Sequence, residues 1–402
     1  MKIVVLKFGG TSVGTIERIK KISNLILSFK KKKYKVIVVT SAMSGMTNDL
    51  IKKSLEISKN FEPSEYDVLV SSGEQISCAL ISGQLNSMGH KSRSFLGWQI
   101  PIITDSNYKS AKINFVNVRN IKKILSNGII PVVAGFQGIT ENGKVTTLGR
   151  GASDYTAITL AKYFLAEKCI IFTDVDGVMT TDPRNYNKAK KIRTISYEEM
   201  LEMSSLGSKV MQSNSVQEAR LNRTDVLVKS SFKKSEGTLI TKRKKIKNYK
   251  IITGISSTKN DSKITMVGVK DKPGVAAAIF KPLSKHNINV DMVVQNISAD
   301  KKETDITFTI KNENTLKTIN LLKNSNKFKY DKILIDKNVS KLSIIGVGMI
   351  TTPGVTYRMF QALSKKKINI LVISTSEIKI SVLIKKSNLK RGIQALHKEF
   401  NL

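Results

Sequence analysis

The apolar run Ile3-Val4-Val5-Leu6 leads without a break into Lys7-Phe8-Gly9-Gly10-Thr11-Ser12-Val13-Gly14. This order allows one local reading: a short buried strand, a glycine turn and a helix start. Glycines let backbone N–H groups approach an anion closely, and a helix N-terminus adds positive potential. Lys7 puts a full charge beside that cradle. Taken alone, the segment fits a phosphate cradle and an ordinary strand–turn–helix junction with a surface lysine equally well, so the decision rests on the motifs that follow.

The alternation continues to about residue 240. Val36–Thr40, Ile129–Ala134 and Cys169–Thr173 read as strands, and Ile16–Phe29 and Tyr155–Ala166 as helical stretches. This predicts an α/β domain over 1–241 with a largely parallel sheet and covering helices, its ligands at the carboxyl ends of the strands. The lysine-rich stretch 242–250 reads as a linker. Beyond it, residues 251–402 hold an internal repeat with an 80-residue period, centred about 264–335 and 342–402. Pro273-Gly274-Val275 matches Pro353-Gly354-Val355, Leu283-Ser284-Lys285 matches Leu363-Ser364-Lys365, and Ile288-Asn289 matches Ile368-Asn369. Each copy reads as strand, Pro-Gly turn, helix, strand, and such duplicated units commonly pair through their sheets.

Composition narrows the function classes. No apolar run reaches the ~18 residues of a membrane helix, and the chain opens on a strand rather than on a signal-peptide layout; the expectation is a soluble cytoplasmic protein without a membrane partner. The two cysteines, Cys78 and Cys169, form no CxxC pair, and His90, His286 and His397 are isolated, which leaves no material for a zinc cluster or a Ser-His-Asp triad. The net charge of +36 invites a nucleic-acid reading. However, the lysines are spread along the chain, and Lys30–Lys33, Lys242–Lys247 and Lys365–Lys367 sit at expected element ends or linkers without interleaved aromatics. A solvated basic surface that attracts anionic substrates fits better, and no nucleic-acid partner is expected.

Four further segments carry chemistry. Ser41-Ala42-Met43-Ser44-Gly45-Met46-Thr47 is a second small-residue loop after a strand, either a polar-ligand loop or a plain turn. Ser72-Gly73-Glu74-Gln75 precedes an apolar stretch, which predicts Glu74 in the first turn of a helix: a dipole-stabilised acid or a receptor for a substrate ammonium. In Thr146-Thr147-Leu148-Gly149-Arg150-Gly151-Ala152-Ser153-Asp154, Ser153 or Asp154 is expected to cap the next helix, and Arg150 can grip a carboxylate or phosphate two-pronged. Thr173-Asp174-Val175-Asp176-Gly177-Val178 with Thr181-Asp182-Pro183-Arg184 clusters acids and an arginine after another strand, as a nucleotide loop or an Asp/Pro turn. Gly138–Lys144 fits GxxxxGK, but Val145 stands where Ser or Thr would hold magnesium, and Glu141–Lys144 reads as a tight turn. There is no GxGxxG.

As a set, in order and spacing over essentially the whole chain, these motifs resemble the aspartate kinase family: KFGGTSVG at 7–14, SAMSGMTN at 41–48, SGEQIS at 72–77, TTLGRGASDYTA at 146–157, TDVDGVMTTDPR at 173–184, and Gly207-Ser208-Lys209-Val210. The C-terminal repeat resembles paired ACT domains. The resemblance implies a three-layer amino-acid-kinase sandwich followed by two ACT-type α+β domains. It implies transfer of the γ-phosphoryl of Mg-ATP to the side-chain carboxylate of L-aspartate, giving 4-phospho-L-aspartate for lysine, threonine and methionine synthesis. A carboxylate is already ionised near neutral pH (reference pKa ~3.9), so no general base is needed, which suits motifs without histidine.

By the same resemblance, Lys7 acts on the transferring group and Asp154 orients Lys7. Ser41, Thr47, Glu74, Arg150 and Ser153 bind aspartate. Lys7, Phe8, Gly9, Gly10, Thr173, Asp174, Met179, Arg184, Lys209 and Val210 bind ATP, with Mg2+ arriving on the nucleotide and no resident metal site. Asp271, Gly274, Ala276, Gln295, Asn296 and Ser298 in one repeat, with Thr352, Asn369, Ile370, Ser376 and Glu377 in the other, would bind lysine and/or threonine as feedback effectors, and the ACT pair would join at least a dimer. Three positions depart from the family pattern: Met179 replaces a usual tyrosine, Lys109-Ser110-Ala111-Lys112-Ile113 a usual Gly-Asn-Ala-Arg-Ile, and Asn214 a common arginine. Alternative readings are a kinase acting on glutamate or acetylglutamate, or a non-catalytic amino-acid sensor.

Overall fold

A computed structural model describes residues 2–149, 151–206, 210–246, 250–297 and 303–402. The chain divides into two units, Met1–Met179 with Lys191–Asn248, and Thr180–Lys190 with Tyr249–Leu402.

The first unit is built on an eight-stranded sheet. Its order is Thr194–Ser196, Thr238–Thr241, Val226–Ser230, Lys168–Thr173, Ile3–Phe8, Lys35–Thr40, Ile130–Ala134, Ser92–Phe95. The pairings are parallel except for the antiparallel contact of Val226–Ser230 with Thr238–Thr241. The central strand Ile3–Phe8 is buried on both faces, as parallel strands are. Because strand side chains alternate, Val4, Leu6 and Phe8 meet Ile19, Ile22 and Ile26 of helix Ile16–Lys31 and Cys78, Ile81 and Leu85 of helix Pro63–Ser87. Lys7, of opposite parity, faces helix Ala152–Tyr163 on the other side. Helices therefore cover both faces, the three-layer arrangement that the sequence implied. The first lysine run falls where expected: Lys30 and Lys31 close helix Ile16–Lys31, where cations complement the dipole.

A smaller sheet orders Ile113–Val116, Ile102–Thr104, Gln137–Ile139, Val145–Thr147. Its last two strands form a hairpin through Thr140–Lys144, with Gly143 at φ +80°, so the GxxxxGK decoy is a turn.

The second unit has a six-stranded antiparallel sheet ordered Val293–Ile297, Glu303–Lys311, Gly254–Lys270, Lys332–Ile345, Lys379–Lys385, Val372–Ser376. The two copies of the repeat join through the long central strands Gly254–Lys270 and Lys332–Ile345. Each copy keeps its own core. Helix Val275–Lys285 packs over Ile264, Met266, Ile306 and Phe308, and helices Val355–Ser364 and Leu389–Glu399 over Leu342, Ile344, Val382 and Ile384. The repeated Pro-Gly turns do the same job twice. Gly274 (φ +88°) and Gly354 (φ +82°) are left-handed N-cap residues, a conformation cheap only for glycine. Bulges between Thr258 and Asp261 and between Met266 and Val269 bend the central strand, and the two edge strands approach each other. Among the described residues, no helix is long and apolar enough to cross a membrane.

Candidate active site

Loops leaving the carboxyl ends of neighbouring parallel strands converge in the first unit. Gly9 N–H donates to Phe172 O at 3.1 Å, Ser41 N–H to Phe8 O at 3.1 Å, Gly135 N–H to Thr40 O at 3.0 Å, and Ser231 N–H to Thr173 O at 2.8 Å. Gly10 lies so close to the second loop that a Cβ there would sit 2.8 Å from Ala42 O.

Lys7 is buried at this edge. Its Nζ stands 2.6 Å from Asp154 Oδ1, and both side chains are about nine-tenths buried. Sequence reasoning placed Ser153 or Asp154 as a helix cap. Instead Gly151, at φ +72°, is the N-cap of helix Ala152–Tyr163. Asp154 is thereby freed from the backbone N–H groups and turned to Lys7, while Ser153 packs against Gly135.

Glu74 also departs from its expected place. The helix begins eleven residues earlier at Pro63, capped by the Glu62 carboxylate on Glu65 N–H at 2.8 Å. Glu74 is therefore mid-helix, beyond reach of the N-terminal dipole. It is 3 % exposed. One oxygen accepts Ala42 N–H at 3.0 Å, and the other, Oε2, has no partner. Burial pushes the carboxyl up to about 8, against the pull of the Ala42 N–H and the Lys7 charge. A buried carboxyl oxygen without a hydrogen-bond partner leaves a polar group unsatisfied in the interior, which is costly unless a partner reaches it. Ser41 is held at the same corner by its carbonyl, which accepts Ser77 Oγ–H at 2.7 Å. Thr47 lies half-buried in the first turn of helix Met46–Ile57.

On the side expected to take a nucleotide, Thr173 ends its strand and its hydroxyl donates to Asp174 Oδ1 at 3.1 Å; Asp174 is exposed. Phe8 is wholly buried and stacked on Phe172, with ring centroids 5.0 Å apart, so only its backbone can face a ligand. Met179 is half-buried and bridges to Lys191, and Val210 is half-buried after the helix Tyr197–Ser205. Arg184 belongs to the excursion 180–190, in the second unit, where it holds Asp182 two-pronged at 2.7–3.2 Å. Arg150, Lys209 and Ser298 lie outside the described residues.

Comparison with known proteins decides the family. The model of the amino acid kinase family matches residues 2–230, and that of the ACT domain matches 264–325 and 342–400. The aspartokinase of Pseudomonas aeruginosa is 45% identical over 405 residues, covering 100% of this chain and 98% of that one. The aspartokinase of Helicobacter pylori J99 is 44% identical over 404 residues, covering 100% and 99%. The chain belongs to the aspartokinase branch of the amino acid kinase family. The structure of E. coli aspartokinase III in complex with aspartate and ADP superposes with a TM-score of 0.81 at 25% identity and full coverage of both chains. The same enzyme with lysine and aspartate gives 0.79 at 25%.

In this aspartokinase-family chain, the expected effector residues occupy turns and edges of the second sheet. Asp271, Gly274 and Ala276 surround the first Pro-Gly turn, and Thr352 precedes the second. Gln295 and Asn296 are exposed on one edge strand. Ser376 ends the other, with Asn369 and Ile370 before it and Glu377 after it.

Two residues escaped the sequence reading. Asp67, seven residues before Glu74 on the same helix face, is wholly buried. It accepts Lys109 N–H at 3.0 Å, Thr147 N–H at 2.8 Å and Thr147 Oγ–H at 2.7 Å. It thus fastens two loops, one of which runs on into Gly149-Arg150-Gly151. An acid inside an otherwise apolar helix pattern was the available signal. Ser231 donates its hydroxyl to Thr173 O at 3.0 Å and pairs with Ser12 Oγ at 2.5 Å, which ties the glycine loop to the Thr173 loop.

Proposed function

We propose that the protein is an aspartate kinase, transferring the ATP γ-phosphoryl group to the β-carboxylate of L-aspartate. The observation that carries this reading is the pairing of a buried Lys7–Asp154 ion pair with the half-partnered buried carboxylate of Glu74 at one sheet edge. Glu74 receives the substrate ammonium, Ser41 and Thr47 line the same pocket, and Arg150 takes the α-carboxylate. The β-carboxylate attacks as an anion, so the residues need only position the reactants and stabilise charge. Lys7, fixed by Asp154, meets the charge that develops on the transferring phosphoryl. The backbone of Gly9-Gly10 cradles phosphate oxygens, while Thr173, Asp174, Met179, Arg184, Lys209 and Val210 hold the rest of the nucleotide. The nucleotide would bring its own Mg2+, which would supply charge neutralisation on the phosphates.

The enzyme opens the route to lysine, threonine and methionine, works in the cytoplasm, and is a homo-oligomer through its ACT domains. Lysine and/or threonine bind the ACT pair and favour an inhibited arrangement, which requires only differential affinity for two states. The product is an acyl phosphate, so hydroxylamine must trap it as aspartyl hydroxamate in a reaction that depends on both ATP and aspartate. ATP hydrolysis without hydroxamate would overturn the proposal.

A further inference from the structure

A cavity of about 760 Å³ in the second unit opens between the excursion Thr180–Lys190 and helix Leu389–Glu399. Lys188, Lys190, Lys366, Arg391 and Lys398 line it, drawn from three separate parts of the chain, with His397 beside them. No Asp or Glu side chain lines the cavity, and none of these five cations forms an ion pair among the described residues, although acids elsewhere pair with Lys2, Lys52, Lys245, Lys311 and Lys341. Five cations without an Asp or Glu partner around one concavity repel each other, and low-dielectric walls focus their field.

The frame is rigid where it needs to be. Arg391 Nη2 donates to the main-chain Lys366 O at 2.5 Å, which fastens the guanidinium to the turn that carries Lys366. The excursion is fastened to its own unit by Ile255 N–H to Thr180 O at 2.7 Å, by Thr180 Oγ with His397 Nε2 at 3.0 Å, and by Lys259 Nζ to Asn185 Oδ1 at 2.6 Å. The Tyr186 and His397 rings, with centroids 4.7 Å apart, supply an aromatic wall. His397 reports the local field. Burial lowers its imidazole below the usual range, and the charges of Lys190 and Lys250 lower it further.

We propose that this cavity is a binding site for a small oligophosphate-bearing anion. Lysines suit it as point charges and Arg391 as a fork for phosphate oxygens, and the volume lies within that of small-molecule sites. The anion would clamp the excursion against helix Leu389–Glu399. That excursion also carries Asp182 and Arg184, so occupancy of the cavity bears on a segment assigned to the nucleotide; this consequence rests on the kinase reading, whereas binding itself does not.

The test is hydrogen exchange of the full-length protein titrated with tripolyphosphate without Mg2+, read at peptides covering 185–190 and 389–399. Saturable protection of both is expected. Lys366→Glu with Arg391→Glu should raise the half-saturating concentration at least ~10-fold, since each ~1.4 kcal/mol lost is a factor of ten. Lys20→Glu with Lys21→Glu, the same charge change on the exposed face of helix Ile16–Lys31, should leave it unaltered. If the first pair unfolds the protein, Lys398→Glu replaces it. Absence of protection in these peptides at millimolar tripolyphosphate, or equal weakening by both pairs, would overturn the site. The readout is local and needs no turnover, so it stands apart from any failure of the kinase reading.

Discussion

Lys7 Nζ lies 2.6 Å from Asp154 Oδ1, and both groups are buried at the carboxyl edge of the parallel sheet. A cation held this way is oriented before any substrate arrives. Lys7→Ala should therefore lower kcat by roughly 10²–10³-fold, the usual cost of one such charge contact, with a much smaller change in the KM for aspartate. Asp154→Asn keeps the shape but not the charge and should lower kcat in the same direction. Steady-state kinetics decide: a near-normal kcat for Lys7→Ala would remove it from the chemical step.

Glu74 gives a pH signature. With its carboxyl pushed up to about 8, it is mostly protonated at pH 7 in the free protein. A substrate ammonium at Oε2 favours the charged form and pulls that value down. Aspartate binding should then release roughly half a proton or more at pH 7. Titration calorimetry in buffers of different ionisation enthalpy measures it, and Glu74→Gln should abolish the release and raise the aspartate KM.

The same group sets a stability trend. Its folded pKa is raised above the usual 4.5, so the native state holds the extra proton between about 4.5 and 8. The associated stability is complete below that window and is lost as pH rises through it. Glu74→Gln should match the wild type near pH 4.5 and exceed it in melting temperature above pH 8. A constant difference across that range would contradict the assignment.

Asp67 should be the costliest of these positions to alter. Asp67→Ala leaves the Thr147 N–H and hydroxyl buried without an acceptor, at about 1–3 kcal/mol each, and removes the acceptor of the Lys109 N–H. A loss of several kcal/mol by denaturant unfolding is expected, with Asp67→Asn in between. A loss below about 1 kcal/mol would mean that the loops are held by other contacts.

Regulation is tested in the full-length enzyme. Lysine, threonine or their mixture should inhibit at millimolar levels, and Gln295→Ala or Ser376→Phe, on the two sheet edges that approach each other, should blunt the effect. An insensitive wild type, or fully sensitive variants, would refute the ACT reading.

Much of this was legible in the chain. The strand-to-glycine junction at Leu6–Gly10 and the 80-residue repeat are local patterns with one physical outcome, and both appear in the structure. Where tertiary packing overrode local preference, the reading failed. Ser72-Gly73-Glu74 looks like a helix start, yet Gly73 is mid-helix because the Ala42 loop packs closely over it. Ser153 and Asp154 are good caps, but Gly151 took that position and left Asp154 for Lys7. Asp67 and the grouping of 180–190 with the second unit depend on contacts far apart in sequence, which periodicity does not encode.

The most direct measurement is ADP release with L-aspartate, L-glutamate and N-acetylglutamate compared side by side as kcat/KM. L-Aspartate should be the preferred acceptor by a wide margin, because Glu74 and Arg150 fix its ammonium and α-carboxylate and one extra methylene misplaces the reacting group. Equal or faster turnover of glutamate or acetylglutamate would contradict the assignment of this site to aspartate.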